Sequence, residues 1–154
     1  MQQPRFLTKA LTRIRHEDGS ASLEFITAGM LLLIPLVYLV VAVGVVQGAT
    51  LATEGAARQA ARVYVESPNQ DIALKRAQQA IDFALADYGL DSHKADVTIS
   101  CSDSCLKPQS LVNIGVGVKV KMPLVPAVLG LDQAAVVPVT SQASQVVSRF
   151  HGVR

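Results

Sequence analysis

The chain has 154 residues, half of them apolar, with four Phe, three Tyr and no Trp. That length suits one domain rather than two, and an apolar mass of Ala, Val and Leu points to helices and one small sheet instead of a large aromatic core. A net charge of +2, with no long basic block, argues against nucleic acid as the main partner.

Residues 1–19 read as a polar leader carrying Arg5, Lys9, Arg13 and Arg15 against Glu17 and Asp18. From Phe25 to Val46 there follow 22 residues without a charge. A helix of that length spans about 33 Å, enough to cross a bilayer core. A secretory signal has a shorter apolar region, about 7–15 residues, so the length favours a retained membrane helix. Cleavage after the run is the rival, because Gly48, Ala49 and Ala52 imitate the small residues of a signal-peptidase site. The positive charges of the leader precede the run and the next one is Arg58. The positive-inside rule then places the N-terminus in the cytoplasm and residues beyond about 47 outside, a single-pass topology.

Glu24 stands at the mouth of this run, where an ionised carboxylate costs roughly 2–3 kcal/mol. One account is a helix start, with Ser20 or Ser22 as cap and Glu24 in the first turns, where the helix dipole favours an anion. That account explains neither the leader nor Gly19. Pro35 lies in the middle of the run, removes one donor from the helix and strips the Leu31 carbonyl of its usual partner. It predicts a kink or local melting: an ordinary feature of membrane helices, or a flexible point that lets the helix bend on entering an assembly.

The helix is expected to continue through residues 47–66, which are Ala-rich and free of proline, until Ser67-Pro68-Asn69 stops it. Gly44, Gly48, Ala52, Ala56 and Ala60 recur every four residues as a smooth ridge. It is either a helix–helix packing surface or the side of the helix that lies on its own domain's sheet. Glu54, Arg58, Arg62 and Glu66 form a second ridge containing two opposite-charge steps. A second helix fits residues 70–88, with Asn69 as cap and Gly89 as terminator. Strands follow. Val97 and Ile99 alternate in the first, and Val112, Ile114, Val116, Val118 and Val120 in the second. The third, Ala135–Val147, is weaker, and Pro138 suggests an edge position or a bulge. The proline-broken apolar stretch 123–132 between the last two reads as a connection packed on the sheet or resting against the membrane. The whole is an α+β chain: leader 1–19, long hydrophobic helix 20–66 as a transmembrane stalk, and an extracytoplasmic head 67–154 with one short helix and three antiparallel strands.

Motifs for catalysis are scarce. There is no G-x-S-x-G, phosphate-binding loop or H-E-x-x-H, so no enzyme, cofactor or small-molecule substrate is expected. His93 and His151 read as solvated surface residues, and Asp82, Asp87, Asp91 and Asp96 as helix and turn positions rather than an acid–base pair. Cys101 and Cys105 are the only cysteines. Outside the membrane they would meet an oxidising compartment, and Ser102-Asp103-Ser104 can turn the chain enough to close a disulfide. Free thiols, or a zinc site with His93, are the rivals, although four good metal ligands cannot be assembled.

A basic leader ending in Gly19, then Ser20-Ala21-Ser22-Leu23-Glu24-Phe25, then an apolar helix, resembles the class III signal of type IV pilin-like proteins. The form with small residues before the glutamate is similar to the tight-adherence (Tad, or Flp) branch, particularly TadE-like minor pilins. Ser20 departs from the wider pattern, which puts an aromatic residue there. The resemblance implies a prepilin peptidase that cuts after Gly19 on the cytoplasmic side, leaving Ser20 as the new N-terminus. It implies that Glu24 compensates the new amine of a neighbouring subunit during assembly. The partners it implies are the membrane, that peptidase, other pilin subunits and a Tad-type assembly platform, in a filament for adhesion or DNA uptake. The competing expectation is a signal-anchored extracytoplasmic protein that binds a ligand or scaffolds a membrane complex.

Overall fold

A computed structural model describes residues 20–123 and 135–152. The leader with Gly19, and all but the first residue of the apolar connection 123–132, lie outside the described residues. The elements in chain order are helix α1 (Ser20–Val65), helix α2 (Gln70–Ala86), a one-turn 3-10 helix (Ser92–Lys94), and strands β1 (Asp96–Cys101), β2 (Leu111–Lys121) and β3 (Val136–Val146). The fold is α+β, as the sequence pattern predicts. The chain divides into two units, Met1–Val40 and Val41–Arg154.

In the N-terminal unit the described structure is helix. The side chains point outward without cover: Leu23, Phe25 and Leu31 are 68%, 80% and 72% exposed. α1 is long and apolar enough to cross a membrane, and none of its most apolar stretch is buried within the protein. The helix continues through Pro35, which costs it one backbone donor but does not end it. Local melting there does not occur. Thr27, a polar residue in the run, turns its hydroxyl back to donate to the Leu23 carbonyl at 2.7 Å. The hydroxyl is thereby satisfied without water, as a lipid environment demands.

In the C-terminal unit the alanines decide the packing. Ala49, Ala52, Ala56, Ala57, Ala60 and Ala61 of α1 are all buried. With side chains this small, the α1 backbone can lie close to what covers it. The upper part of the small-residue ridge is therefore covered inside its own unit, and at Gly48 the cover comes from Tyr88, just past α2. Gly44, lower down, has no neighbour within reach of a side chain. The opposite ridge faces water: Arg58 pairs with Glu54, and Arg62 with Glu66 at 3.3 Å. Exposed i,i+4 pairs of this kind contribute only about 0.3–0.5 kcal/mol each.

α1 ends before Ser67, whose hydroxyl donates to the Val63 carbonyl at 2.7 Å. Asn69 then caps α2, its Oδ1 accepting from the Ile72 N–H at 2.9 Å. α2 buries Ala73, Ala77, Ile81 and Leu85, which recur at helical spacing. It stops at Ala86, two residues before the predicted end. Gly89 takes φ +68, and Leu90 N–H donates back to the Leu85 carbonyl at 3.0 Å. This is the left-handed closure for which glycine is suited.

The strands form one antiparallel sheet in the order β1-β2-β3. Register puts Val97 opposite Val116 and Ile99 opposite Ile114, and on the other side Val139 opposite Val118 and Ser141 opposite Val116. One face is therefore apolar, and Val112, Ile114, Val116, Val118 and Val120 are buried on it. α1 is tied to this face by a 2.9 Å hydrogen bond between the Thr53 and Ser141 hydroxyls. The other face carries Thr98, Asn113, Thr140, Gln142 and Ser144. Among the described strands β3 lies at an edge of the sheet, a position where a proline such as Pro138, opposite Lys119, is tolerated.

Candidate functional site

Glu24 is the fifth residue of α1, and the first turn of the helix contains no acidic residue. Dipole stabilisation fades within the first turn, so it accounts for little of the glutamate's presence. Among the described residues no hydrogen bond or ion pair engages its carboxylate. Ser20 lies in the same helix four residues earlier, an axial separation of about 6 Å. The structure thus puts Ser20 and Glu24 on one helix, while Gly19 lies outside the described residues. Pro35 is eleven residues further along the same uncovered helix.

The cysteines lie elsewhere, in the C-terminal unit. Cys101 and Cys105 are disulfide-bonded, with Cα atoms 5.2 Å apart. His93 is not drawn to them: among the described residues no cluster of three or more His, Cys, Asp or Glu could hold a metal ion. The ring is embedded in a loop that is fastened at several points. Ser102 N–H donates to the Leu111 carbonyl at 2.9 Å, and Leu111 N–H donates to the Ser102 hydroxyl at 3.0 Å. Asp103 pairs with Lys107 and accepts from the Ser104 N–H at 2.8 Å. The Lys107 ammonium, and then that amide, hold the Asp103 carboxyl below its ordinary range.

At the far end of the loop, Gln109 adopts φ 66, a left-handed conformation uncommon for its type. That turn lets Gln109 N–H donate to the Val147 carbonyl at 3.0 Å, while Val147 N–H donates to the Ser110 carbonyl at 2.9 Å. Val147 is fully buried. The disulfide loop therefore clamps the chain just past β3 into the core. Sequence reasoning missed this role for Gln109 and Ser110, because the contacts are backbone to backbone and carry no side-chain signature. The glycine spacing of β2 was a readable signal that also went unused. Gly115 and Gly117 lie on the polar face, and a side chain on Gly115 would meet the Thr98 hydroxyl at 2.5 Å.

No protein-family model, no curated protein and no solved structure matches the chain.

Proposed function

We propose that the chain is a TadE-like prepilin or pseudopilin, a structural subunit rather than an enzyme. A prepilin peptidase cuts it after Gly19 on the cytoplasmic side, and the shortened chain takes part in assembling a Tad/Flp-type surface pilus for adhesion or DNA uptake. Before assembly it is a single-pass membrane protein with its C-terminal unit outside. What supports this reading most is the two-part character of α1. One helix, Ser20–Val65, is predominantly apolar and almost entirely exposed from Ala21 to Val41, and packs an α+β unit along its second half. A subunit that is stored in lipid and later bundled with copies of itself needs that division: a naked apolar rod, and a folded portion that stays in water.

Within this reading Glu24 has a physical task. A lone carboxylate in an apolar bundle is unfavourable, and pairing it with an equally buried ammonium recovers much of the cost. The new amine at Ser20 of a neighbouring subunit supplies that ammonium, and any subunit in the wrong register leaves two charges unpaired. Co-expression with the cognate prepilin peptidase tests the proposal. The expected product begins at Ser20, and Gly19→Leu blocks the cut. An intact Met1 terminus in membranes that contain active peptidase would refute it and favour the signal-anchored scaffold.

A further inference from the structure

Val45 and Val46, the last residues of the uncharged run, are half-buried and pack against the core of the C-terminal unit. A helix surface covered by protein is closed to lipid. The rim of the unit must therefore reach down to the depth at which the apolar run ends. Topology says which residues form that rim. α2 is 17 residues long, about 26 Å, the same as the length of α1 from Gly48 to Val65. It returns alongside α1, so that the Tyr88 ring lies 3.8 Å from where a side chain on Gly48 would begin. Gly48 is two residues past the end of the run. Tyr88 itself is 52% exposed. The chain then turns through Leu90 and Lys94 into Asp96, which pairs with Gly117. β2 continues past that pair to Lys119 and Lys121, both exposed. Tyr88, Lys94, Lys119 and Lys121 thus share one end of the unit.

We propose that this end is a membrane-surface contact, with Tyr88 seated at the boundary between lipid headgroups and acyl chains and Lys119 and Lys121 at the level of the phosphates. The inference rests on the reading of α1 as a membrane helix. A tyrosine suits the position because its ring is apolar and its hydroxyl stays wet. Lysines suit it because their stems lie along apolar surface while the ammonium reaches the phosphate layer. Asp87, Asp91 and Asp96 lie at the same end, and Lys94 is paired with Asp91 at 2.8 Å. The charges balance, so the aromatic ring and not net charge carries the contact, and high salt leaves it in place.

The chain contains no tryptophan, so single substitutions make clean fluorescent reporters. Tyr88→Trp, Phe150→Trp and Leu33→Trp are made separately in the full chain. Each is reconstituted in bilayers of phosphatidylethanolamine and phosphatidylglycerol containing phosphatidylcholine brominated either high or low on the acyl chain. Phe150 is the distant control, lining a cleft with Glu66 and Pro68 near the end of α1. The expected result is deep quenching for Leu33→Trp, shallow quenching for Tyr88→Trp that persists in high salt, and severalfold weaker quenching for Phe150→Trp. Quenching of Leu33→Trp with Tyr88→Trp no more quenched than Phe150→Trp would overturn the contact and leave the membrane helix standing. An unquenched Leu33→Trp would remove the membrane helix, and the contact with it. Shallow quenching of Tyr88→Trp that disappears in salt would overturn the aromatic anchor in favour of lysine attraction.

Discussion

Replacing Glu24 with glutamine separates two accounts of the residue by more than an order of magnitude in energy. Glutamine keeps the size and helix propensity of glutamate and removes only the charge. If Glu24 serves its own helix, the loss is a dipole interaction from the fifth position of α1, beyond the first turn, and amounts to no more than about 0.3 kcal/mol. If it neutralises the Ser20 amine of a neighbour, the variant leaves a buried ammonium unpaired, at a cost of about 3–5 kcal/mol per subunit. At 1.36 kcal/mol per decade that is a loss of roughly two to four orders of magnitude in incorporation. The assay compares processed protein in sheared surface filaments with processed protein in membranes, wild type against Glu24→Gln, with filament counts from the same cells. The expected variant is cut after Gly19 and membrane-inserted, yet missing from filaments or unable to start them. Wild-type incorporation together with wild-type filament number would refute the pairing.

The remaining expectations concern the C-terminal unit. Replacing Cys101 and Cys105 together with serine should cost about 1–2 kcal/mol in denaturant unfolding, since a ring this short gives a loop-entropy term of only about 2 kcal/mol; a cost above that range would show that the disulfide does more than close its own ring. Ala56→Leu forces a larger side chain into a fully buried position and should destabilise by about 1–3 kcal/mol, whereas Gly55→Ala on the open side of α1 should be neutral or stabilising; equal effects would contradict the packing of α1. Burial pushes the Tyr64 phenol above its ordinary value, so the fold favours the neutral form. Its contribution to stability is fully present below the unfolded value near 10 and is lost as pH rises through the folded one. Thermal midpoints at neutral and strongly alkaline pH should fall less steeply in Tyr64→Phe than in the wild type, and identical slopes would refute the assignment.

What was legible in the sequence was whatever repeats along the backbone. The valines of β2 and the Ala73–Ala77–Ile81–Leu85 series announce their elements because burial on one face imposes a period on residue type. Asn69 and Gly89 were legible because capping and left-handed closure each need a particular chemistry. The partner of the α1 alanines was not. A row of small residues fits a neighbouring helix and a packed sheet equally well, and the structure uses both: Tyr88, just past α2, lies at Gly48, while the neighbouring Thr53 bonds Ser141 of the sheet. The anchoring of Val147 by Gln109 and Ser110 was hidden for a different reason: amide and carbonyl groups are common to nearly all residues, so their pairing leaves no trace in composition.

Glu24 presents the reverse case, conspicuous in the sequence and without a partner among the described residues of its own chain. Under the proposed pairing its partner lies on a neighbouring subunit, and helix geometry then bears on the offset between copies. Ser20 and Glu24 are separated by four steps of helix, about 6 Å along the axis. Two parallel copies side by side at equal height would leave each amine about 6 Å below its neighbour's carboxylate. Raising one copy by about that distance brings one amine level with one carboxylate, and leaves the complementary groups free to engage the next subunits above and below. Under the proposed pairing such a contact is heterologous and can propagate along a filament, whereas copies at equal height close on each other and must bridge the offset by the reach of the glutamate side chain. Glu24→Asp keeps the charge on a shorter arm. It should therefore incorporate better than Glu24→Gln and less well than the wild type. An aspartate variant no better than glutamine would mean that reach, and not charge alone, sets the axial step.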